Sequence, residues 1–458
     1  MRIATGIVAC ALAGALLSPP AHATPGALTI EHYRLDNGLE VILQPDPTLS
    51  TAVVHVWYHV GSKDELLGKS GFAHLFEHLM FEGSKHVKEG DFDRLLEAAG
   101  GWNNGTTNND RTNYFEQVPV SHLPLALWLE ADRLAGLWDA MSPALLDNQR
   151  DVVKNERRQQ IENRPYGRVE LMIQQALWPR GHGNWNLTIG TMEDLDAASM
   201  EDVEAFWRTY YRPSNATLVV VGGFDVAKTK ALVETLFAWM PKQDVPRRRT
   251  LTAPVTPLPR PATIQTTDKV QVPKVILAMR GPEAYSQESY DLAIASYVLG
   301  SGKTSRLHKR LVFQDRLATE AYAALNDQML GSELSIAAVA RPGTTAQQLR
   351  DVLVEELARM KTEPPTAEDI ERARRVIEVG LLSSLENPAS RAGRLAEWAA
   401  YTGDPDHLAE TRAALAKVTP ESCARAIARW MSIDHAVTAI VSPETAPAPA
   451  PASRGGGK

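Results

Sequence analysis

The sequence predicts an α+β fold made of two structurally similar domains, and three observations support this prediction. The chain has 458 residues, which is more than one compact domain usually contains and enough for two. Runs rich in β-branched residues alternate with stretches of helical spacing along the chain. The order of these elements in the first half partly recurs in the second half, as expected of a duplicated architecture.

In the first half, two predicted hairpins and a buried strand surround a short apolar helix. Asn37-Gly38 is a turn signal for one hairpin, and Asn108-Asn109-Asp110 forms the turn of the other. The predicted strands are 29–35, 40–44, 51–60, 101–107, 112–118 and 216–221. The predicted helices are 71–82, 92–99, 123–138, 143–162, 166–178, 200–210 and 225–239. We predict that these elements form an N-terminal domain over residues 24–240.

The second half repeats part of this order. A strand, a helix, a capped helix and a final apolar strand follow one another as their counterparts do in the first half. The recurring elements are 274–280, 287–299, 419–431 and 436–441. We predict that a homologous C-terminal domain covers residues 263–442.

Prolines and charged residues separate the two predicted domains. The stretch 241–262 is rich in proline and carries Arg247-Arg248-Arg249, which is most simply a solvated run of charges in a linker. Residues 443–458 are rich in Pro, Ala and Gly, and this composition predicts a disordered tail.

The first 23 residues have the pattern of a cleaved secretory signal. Met1-Arg2 precedes the apolar run 3–17, and an Ala-x-Ala end closes the segment at Ala23. The apolar core continues beyond Cys10, which disfavours lipidation of that cysteine. Cleavage leaves Cys423 as the single cysteine, so an internal disulfide is excluded and a buried thiol is expected. These features predict a periplasmic or secreted protein.

Charge and hydropathy exclude several classes of partner. The net charge of −7 argues against a nucleic acid or an anionic membrane surface. No stretch after the leader reaches about 18 consecutive apolar residues, so we predict no membrane span.

The predicted helix 71–82 carries the strongest functional signal. His74 and His78 are four residues apart and share a helix face, and Glu77 lies beside them. Two imidazoles one turn apart can bind one Zn²⁺, and the His-x-x-Glu-His order is the inverted form of the zinc-peptidase motif. The alternative is a pair of core histidines that happen to flank a glutamate.

A zinc site with two histidines requires a third protein ligand, commonly a carboxylate. Spacing does not choose among the candidates, which are Glu116, Glu130, Glu156, Glu162 and Glu170. Read alone, Glu156 would be an exposed glutamate in the middle of a helix.

The predicted strand 101–107 is unusually polar. Gly101, Asn103, Asn104, Thr106 and Thr107 make it a poor core strand but a suitable edge strand. An exposed edge can pair its backbone with an extended peptide, so these residues are candidates for substrate binding. A solvated edge without a ligand is the alternative.

Four segments of the sequence resemble the pitrilysin–insulinase family of zinc peptidases, in particular the branch with short subunits that includes mitochondrial processing peptidase and bacterial periplasmic relatives. The matching segments are His74-x-x-Glu77-His78, Gly101-x-x-Asn104-x-x-Thr107 with Asp110, Thr112 and Tyr114, Arg150-Asp-Val-Val-x-x-Glu156-Arg157, and Ile189-Gly-Thr-Met-Glu-Asp-Leu195. The resemblance extends over nearly all of residues 28–442.

The resemblance implies two similar domains, each a mostly antiparallel sheet covered by helices, that face each other like a clamshell. It implies that Glu156 is the third zinc ligand and that Glu77 is the general base. It also implies short or unfolded polypeptide substrates, which pair with the strand at 101–107.

The sequence departs from the family pattern at two places. A glutamate that family members often carry two turns before the ligand is Gln149 here. The Arg and Tyr that hold substrate in active members are replaced by Val312 and Thr319. Some relatives divide zinc and the Arg/Tyr pair between two subunits, so this chain resembles the zinc-bearing half of a heterodimer, with a homodimer as the alternative.

We therefore expect a zinc-dependent endopeptidase. A non-catalytic scaffold or peptide-binding subunit of the same fold is the alternative, and the missing Arg/Tyr pair favours it. The complete set of His74, Glu77, His78 and Glu156 argues against it, because a scaffold does not need these four residues together.

Overall fold

The computed structural model describes residues 28–444, so the predicted leader and nearly all of the predicted tail lie outside the described residues. Each half of the described chain contains one β-sheet. The first sheet contains β1 (Glu31–Arg34), β2 (Glu40–Pro45), β3 (Thr51–Tyr58), β4 (Trp102–Thr107), β5 (Thr112–Pro119) and β6 (Ala216–Gly222). The second sheet contains β7 (Ala262–Asp268), β8 (Lys274–Arg280), β9 (Ala318–Asn326), β10 (Glu333–Ala340) and β11 (Val437–Pro443).

Helices cover both sheets. In the N-terminal half they are α1 (Phe72–Leu79), α2 (Asp91–Ala98), α3 (Leu123–Ala140), α4 (Pro143–Arg157), α5 (Val169–Leu177), α6 (Met192–Asp196), α7 (Met200–Tyr210) and α8 (Val226–Phe237). In the C-terminal half they are α9 (Gln287–Gly300), α10 (Ala346–Thr362), α11 (Ala367–Glu386), α12 (Pro388–Thr402), α13 (Leu408–Ala416) and α14 (Pro420–Trp430). Two π-helical turns lie at Arg158–Glu162 and His308–Gln314.

The two sheets share one topology, except that β1 of the first sheet has no counterpart in the second. The first has the strand order β1-β2-β6-β3-β5-β4, and the second has β7-β11-β8-β10-β9. One pair in each sheet is parallel, β2 with β6 and β7 with β11, and the remaining pairs are antiparallel. Strand β8 therefore takes the place of β3, and β11 takes the place of β6, so the predicted duplication is confirmed.

Strand β3 shows why the centre of the first sheet is buried on both faces. Its side chains alternate between two apolar clusters: Val54 and Val56 face one, and Val53 and Trp57 face the other. A strand with apolar residues on both faces reads as a continuous hydrophobic run, as this one does in the sequence.

Each half supplies a helix that covers the sheet of the other half. Helix α12 of the C-terminal half packs on β6 and β3 of the first sheet, with Leu395 and Trp398 in a shared cluster with Val53 and Val219. Helix α5 of the N-terminal half packs on β7, β8 and β11 and places Ile173 in the second core. The halves are therefore interlocked through these two crossed helices, α5 and α12.

The segment between α8 and β7 is anchored rather than solvated throughout. Arg248 donates to the Asn215 side chain at 3.0 Å, and Arg249 donates to the Gly181 carbonyl at 2.8 Å, while Arg247 is exposed. The prediction of a solvated charge run is therefore wrong for two of the three arginines. Guanidinium groups offer several donors, which here satisfy acceptors of the N-terminal half.

Two smaller predictions concern burial and membrane spans. Cys423 is fully buried in the second core, as expected of a small apolar side chain. Within residues 28–444, none of the helices combines the length and the hydropathy needed to cross a bilayer.

Candidate metal centre

Helix α1 presents one face to the core, and its two imidazoles lie on a partly exposed face. Phe72, Phe76 and Leu79 are buried in the first core, as predicted. His74 and His78 lie on the remaining face, where they keep 12% and 24% of their side-chain surface exposed. The helix is thus held by its apolar face while its imidazoles remain accessible.

The N-terminus of α1 is fixed by a buried carboxylate and by a glycine. Glu65 accepts hydrogen bonds from the backbone N–H groups of Gly71 and Ala73 at 3.0 and 2.9 Å. Gly71 has a φ of 89°, and a Cβ at this position would lie 2.8 Å from the Ile189 carbonyl oxygen. Glycine is therefore required where the helix begins.

The two histidines and Glu156 form one group of possible metal ligands. The Glu156 Oε2 atom lies 3.2 Å from His78 Nε2 and 3.6 Å from His74 Nε2, and the three donor atoms all lie within 4.8 Å of one another. Ligand bonds of about 2.0–2.2 Å in a tetrahedron place neighbouring donors about 3.3–3.6 Å apart. The donor set and its spacing therefore fit Zn²⁺.

Glu156 lies at the C-terminal end of α4, one residue before the last residue of that helix. Its Oε1 atom accepts a hydrogen bond from Gln160 Nε2 at 2.6 Å, which turns Oε2 towards the histidines. Gln160 lies in the π-helical turn that follows α4, a type of irregularity frequent at functional sites. The sequence reasoning missed Gln160, and its spacing of four residues from Glu156 was the available signal.

The other carboxylates proposed as a third ligand point elsewhere. Glu116 and Glu130 are fully buried, and Glu130 is bonded to Arg133. Glu162 pairs with Arg157 at 3.1 Å, and Glu170 lies 3.6 Å from Arg164. Of the five candidates, Glu156 alone joins the two histidines in a three-ligand group of the described residues.

Glu77 is positioned by strand β4. The Thr107 hydroxyl donates to Glu77 Oε2 at 2.6 Å. The preceding Gly105 allows the close approach, because a Cβ there would lie 3.1 Å from Glu77 Cγ and 3.1 Å from the Phe81 ring. A glycine within a strand marks such close contacts, and this signal could have identified Gly105 from the sequence.

Strand β4 lies at the edge of the first sheet, as predicted. Thr107 contacts Glu77, while Asn103 donates to Asp93 at 2.7 Å and Thr106 donates to Asn113 at 2.6 Å. Asn104 is exposed, and Gly101 precedes the strand. The structure therefore brings only Thr107, among the five candidate substrate residues, into hydrogen-bond contact with Glu77, and the substrate role of all five stays a prediction.

The turn after β4 is tied to the C-terminal half. The Asp110 carboxylate accepts from the Tyr401 hydroxyl at 2.6 Å and from the Met329 N–H at 3.1 Å. Lys63 donates to the Asp110 carbonyl oxygen at 3.2 Å. Sequence reasoning missed Tyr401, which lies 291 residues from Asp110 and has no local signal.

The two departures from the family pattern have different surroundings. Gln149 is buried and donates to Glu82 Oε1 at 2.6 Å, so a carboxylate still lies beside this position, on a different element. Val312 packs against the second core, and Thr319 is in β9, where its hydroxyl donates to the Val339 carbonyl at 3.3 Å.

Burial and charge set the protonation of the group. Burial lowers the pKa of His74 to about 4, which favours the neutral imidazole that binds metals. Burial also raises the pKa of Glu77, against the opposing effect of the Thr107 hydrogen bond. The hydrogen bond from His78 lowers the pKa of Glu156 and favours its anionic form.

The fold and this group define a class: a two-domain α+β protein with an inverted His-x-x-Glu-His motif and a candidate metal centre completed by a glutamate from a second helix. Residues 40–187 match the family described as Insulinase (Peptidase family M16), and residues 197–377 match the one described as Peptidase M16 inactive domain. The chain belongs to the insulinase family, as its resemblance predicted.

Curated relatives are named as proteases. The chain is 29% identical to Zinc protease PqqE of Helicobacter pylori over 376 residues, which cover 80% of this chain and 83% of that protein. It is 26% identical over 286 residues to Mitochondrial-processing peptidase subunit beta of Blastocladiella emersonii, covering 60% and 59% of the two chains.

Solved structures share the fold. A protease from Helicobacter pylori has a TM-score of 0.84 and 26% identity, covering 91% of this chain and 100% of that one. The first half of the periplasmic protease PqqL from Escherichia coli has a TM-score of 0.72 and 18% identity, covering 90% and 92%. The predicted fold class of two similar domains in a clamshell is confirmed.

Proposed function

We propose that this chain is a zinc-dependent endopeptidase that hydrolyses peptide bonds in short or unfolded polypeptides. The observation that carries the proposal is the approach of Glu156 Oε2 to both His78 Nε2 and His74 Nε2, at 3.2 and 3.6 Å. The protease names of the curated relatives support it.

His74, His78 and Glu156 would hold the ion. Zn²⁺ bound there would lower the pKa of a coordinated water to about 7 and polarise the scissile carbonyl. Glu77, held by Thr107, takes the proton of the attacking water and passes it to the leaving amine. The edge of β4 pairs with the backbone of an extended substrate.

The setting proposed for this activity is the periplasm or the secreted fraction, after removal of residues 1–23. The proposed partner is a second subunit of the same fold that carries an Arg/Tyr pair, or a second copy of this chain. The non-catalytic scaffold is the second candidate, because Val312 and Thr319 occupy the positions of that pair.

Cleavage of a quenched-fluorescent peptide library by the purified mature chain tests the proposal. We expect cleavage that a chelator abolishes and added zinc restores. Glu77→Gln should remove this activity and keep the metal, whereas Glu97→Gln, the same change at an exposed position of α2, should have no effect. Zinc binding without cleavage, also in the presence of an Arg/Tyr-bearing subunit, would favour the scaffold.

A further inference from the structure

The C-terminal half contains a cavity at the counterpart of the metal centre. His74 and His78 are the third and seventh residues after Gly71, the N-cap of α1, and Ser289 and Ala293 occupy these positions after Ser286, the N-cap of α9. The duplicated topology therefore assigns Ser289 to the place of His74 and Ala293 to the place of His78.

The third ligand has a counterpart as well. Glu156 is the fourteenth residue after Ser142, the N-cap of α4, and Gly380 is the fourteenth after Thr366, the N-cap of α11. Ser289, Ala293 and Gly380 all line one cavity of about 270 Å³. Where the N-terminal half places three ligand side chains, the C-terminal half has small residues and open space.

Gly380 is unexplained by the fold. It lies inside the 20-residue helix α11, where glycine is the least favourable residue after proline. A Cβ at this position would meet no atom within 4 Å, so no neighbour requires glycine there. The missing side chain keeps the cavity open to solvent at a cost in helix stability.

The cavity combines an apolar wall with hydrogen-bond acceptors. Ile377, Leu381 and Leu415 supply aliphatic surface. Asp327 lines the cavity, and its Oδ1 atom accepts from the Ser289 hydroxyl at 2.6 Å and from the Ser332 hydroxyl at 3.1 Å.

A second carboxylate and one cation complete the charged lining. Glu397 accepts from the Tyr285 hydroxyl at 2.6 Å and from Arg394 at 2.9 Å. The single guanidinium of the lining, that of Arg394, is thus paired with Glu397, which leaves the Asp327 carboxyl group as the acidic group of the lining that Arg394 does not pair with. The Tyr290 hydroxyl is buried beside Thr411 in the same lining, and its oxygen is a further acceptor.

We propose that this cavity binds a primary amine at the end of an alkyl chain, as a lysine side chain of a polypeptide presents it. An ammonium group has three donors and no acceptor, which matches Asp327, Glu397 and the Tyr290 hydroxyl. The aliphatic stem would lie along Ile377, Leu381 and Leu415. A free alkyl diamine has the same chemistry and is the other source of such a ligand.

Fluorescence anisotropy of labelled peptides on the full-length Glu77→Gln chain tests this proposal without turnover. The peptides differ at one position, which is lysine, norleucine or glutamate. We expect the lysine peptide to bind at least 10-fold more tightly than the other two. Asp327→Asn and Gly380→Leu should abolish this preference, and Glu386→Gln, a control at an exposed end of α11, should keep it.

Competition separates the two sources. If 1,5-diaminopentane displaces the lysine peptide only at concentrations far above the Kd of the peptide, the ligand is a polypeptide side chain. If it displaces the peptide at concentrations similar to that Kd, the ligand is a free amine. Equal binding of the lysine and norleucine peptides, or a preference for glutamate, would overturn the proposal. Gly380→Ala, which favours the helix, gives a folded variant with a partly filled cavity and should reduce the preference.

Discussion

The two halves of this chain have the same strand order but different residues at corresponding places. In α1 and α4, histidines and a glutamate converge on one point, whereas in α9 and α11 the corresponding positions are Ser289, Ala293 and Gly380. Both sheets are nevertheless complete. The comparison teaches that the fold does not depend on the candidate metal ligands, which occupy helix faces turned away from the cores.

The largest effect should come from removing a proposed metal ligand in the N-terminal half. His74→Ala should reduce bound zinc from one ion per chain to less than about a tenth. It should lower peptide turnover more than about 100-fold, because substituting even a residue that only hydrogen-bonds to a metal ligand reduces metal affinity or activity about 10–100-fold. Metal analysis by mass spectrometry after gel filtration, together with the peptide assay, measures both.

The counterpart position provides the control for this change. Ser289→Ala should leave the zinc content unchanged, since Ser289 is at the place of His74 but belongs to no three-ligand group within residues 28–444. A loss of zinc in Ser289→Ala would contradict the assignment of metal binding to the N-terminal half.

The second effect concerns stability and the crossed helices. Trp398 belongs to α12 of the C-terminal half but is fully buried with residues of the first sheet. Trp398→Ala should lower the free energy of unfolding by about 3–5 kcal/mol, as expected for removal of a buried aromatic side chain. Urea unfolding followed by tryptophan fluorescence and by zinc release measures it.

The urea midpoint of zinc release shows whether the stability of the N-terminal half depends on α12. If Trp398→Ala left the urea midpoint of zinc release unchanged, the first sheet would be stable without α12, and the interlocked description of the halves would be wrong. Leu66→Ala, a change at a 70% exposed apolar position of the N-terminal half, should shift neither signal.

A smaller effect should follow from the support of Glu77. Thr107→Val removes the hydroxyl that donates to Glu77 at 2.6 Å and keeps the size of the side chain. We expect turnover to fall about 10–100-fold, since a hydrogen bond to a charged group contributes about 1.5–3 kcal/mol. Zinc content should not change.

Thr106→Val is the comparison within the same strand, because Thr106 donates to Asn113 instead of Glu77. In steady-state kinetics of both variants, we expect Thr107→Val to reduce turnover through a lower kcat. An equal loss in both variants would indicate a general weakening of β4 rather than a role for the bond to Glu77.

The smallest effect is a dependence of stability on pH. Burial, with a contribution from Glu130, raises the pKa of Glu116 well above its usual value. A carboxyl group with a raised pKa in the folded state stabilises the fold below its unfolded pKa and loses this contribution as the pH rises through the folded value. The urea midpoint of Glu116→Gln should therefore rise relative to that of the unchanged chain as the pH increases from 5 to 8. A constant difference between the two midpoints over this range would refute this prediction.

Much of this architecture follows from local patterns. The continuous apolar run of β3, the Ser142 cap of α4 and the apolar face of α1 are all visible in neighbouring residues, and these elements were predicted correctly. The order of strands and helices in the first half recurs in the second half. This recurrence predicted the duplication, because two domains of one topology have their elements in the same order.

The contacts between distant parts of the chain could not be predicted in this way. Nothing near Asp110 indicates that Tyr401 binds it, and nothing in α5 or α12 says which sheet they cover. Spacing also left five carboxylates as equal candidates for the third ligand. Only the family resemblance selected Glu156, and the folded structure then brought it to the histidines.

The crossed helices have a consequence for the covalent chain itself. Because α12 covers the first sheet and α5 covers the second, the halves are held together by more than the peptide connection through residues 241–261. Val245 is 60% exposed in this connection and is accessible to a protease. A chain nicked there should remain a single particle on gel filtration and separate only in denaturant, whereas either half produced alone would expose the apolar sheet face that the missing helix covers.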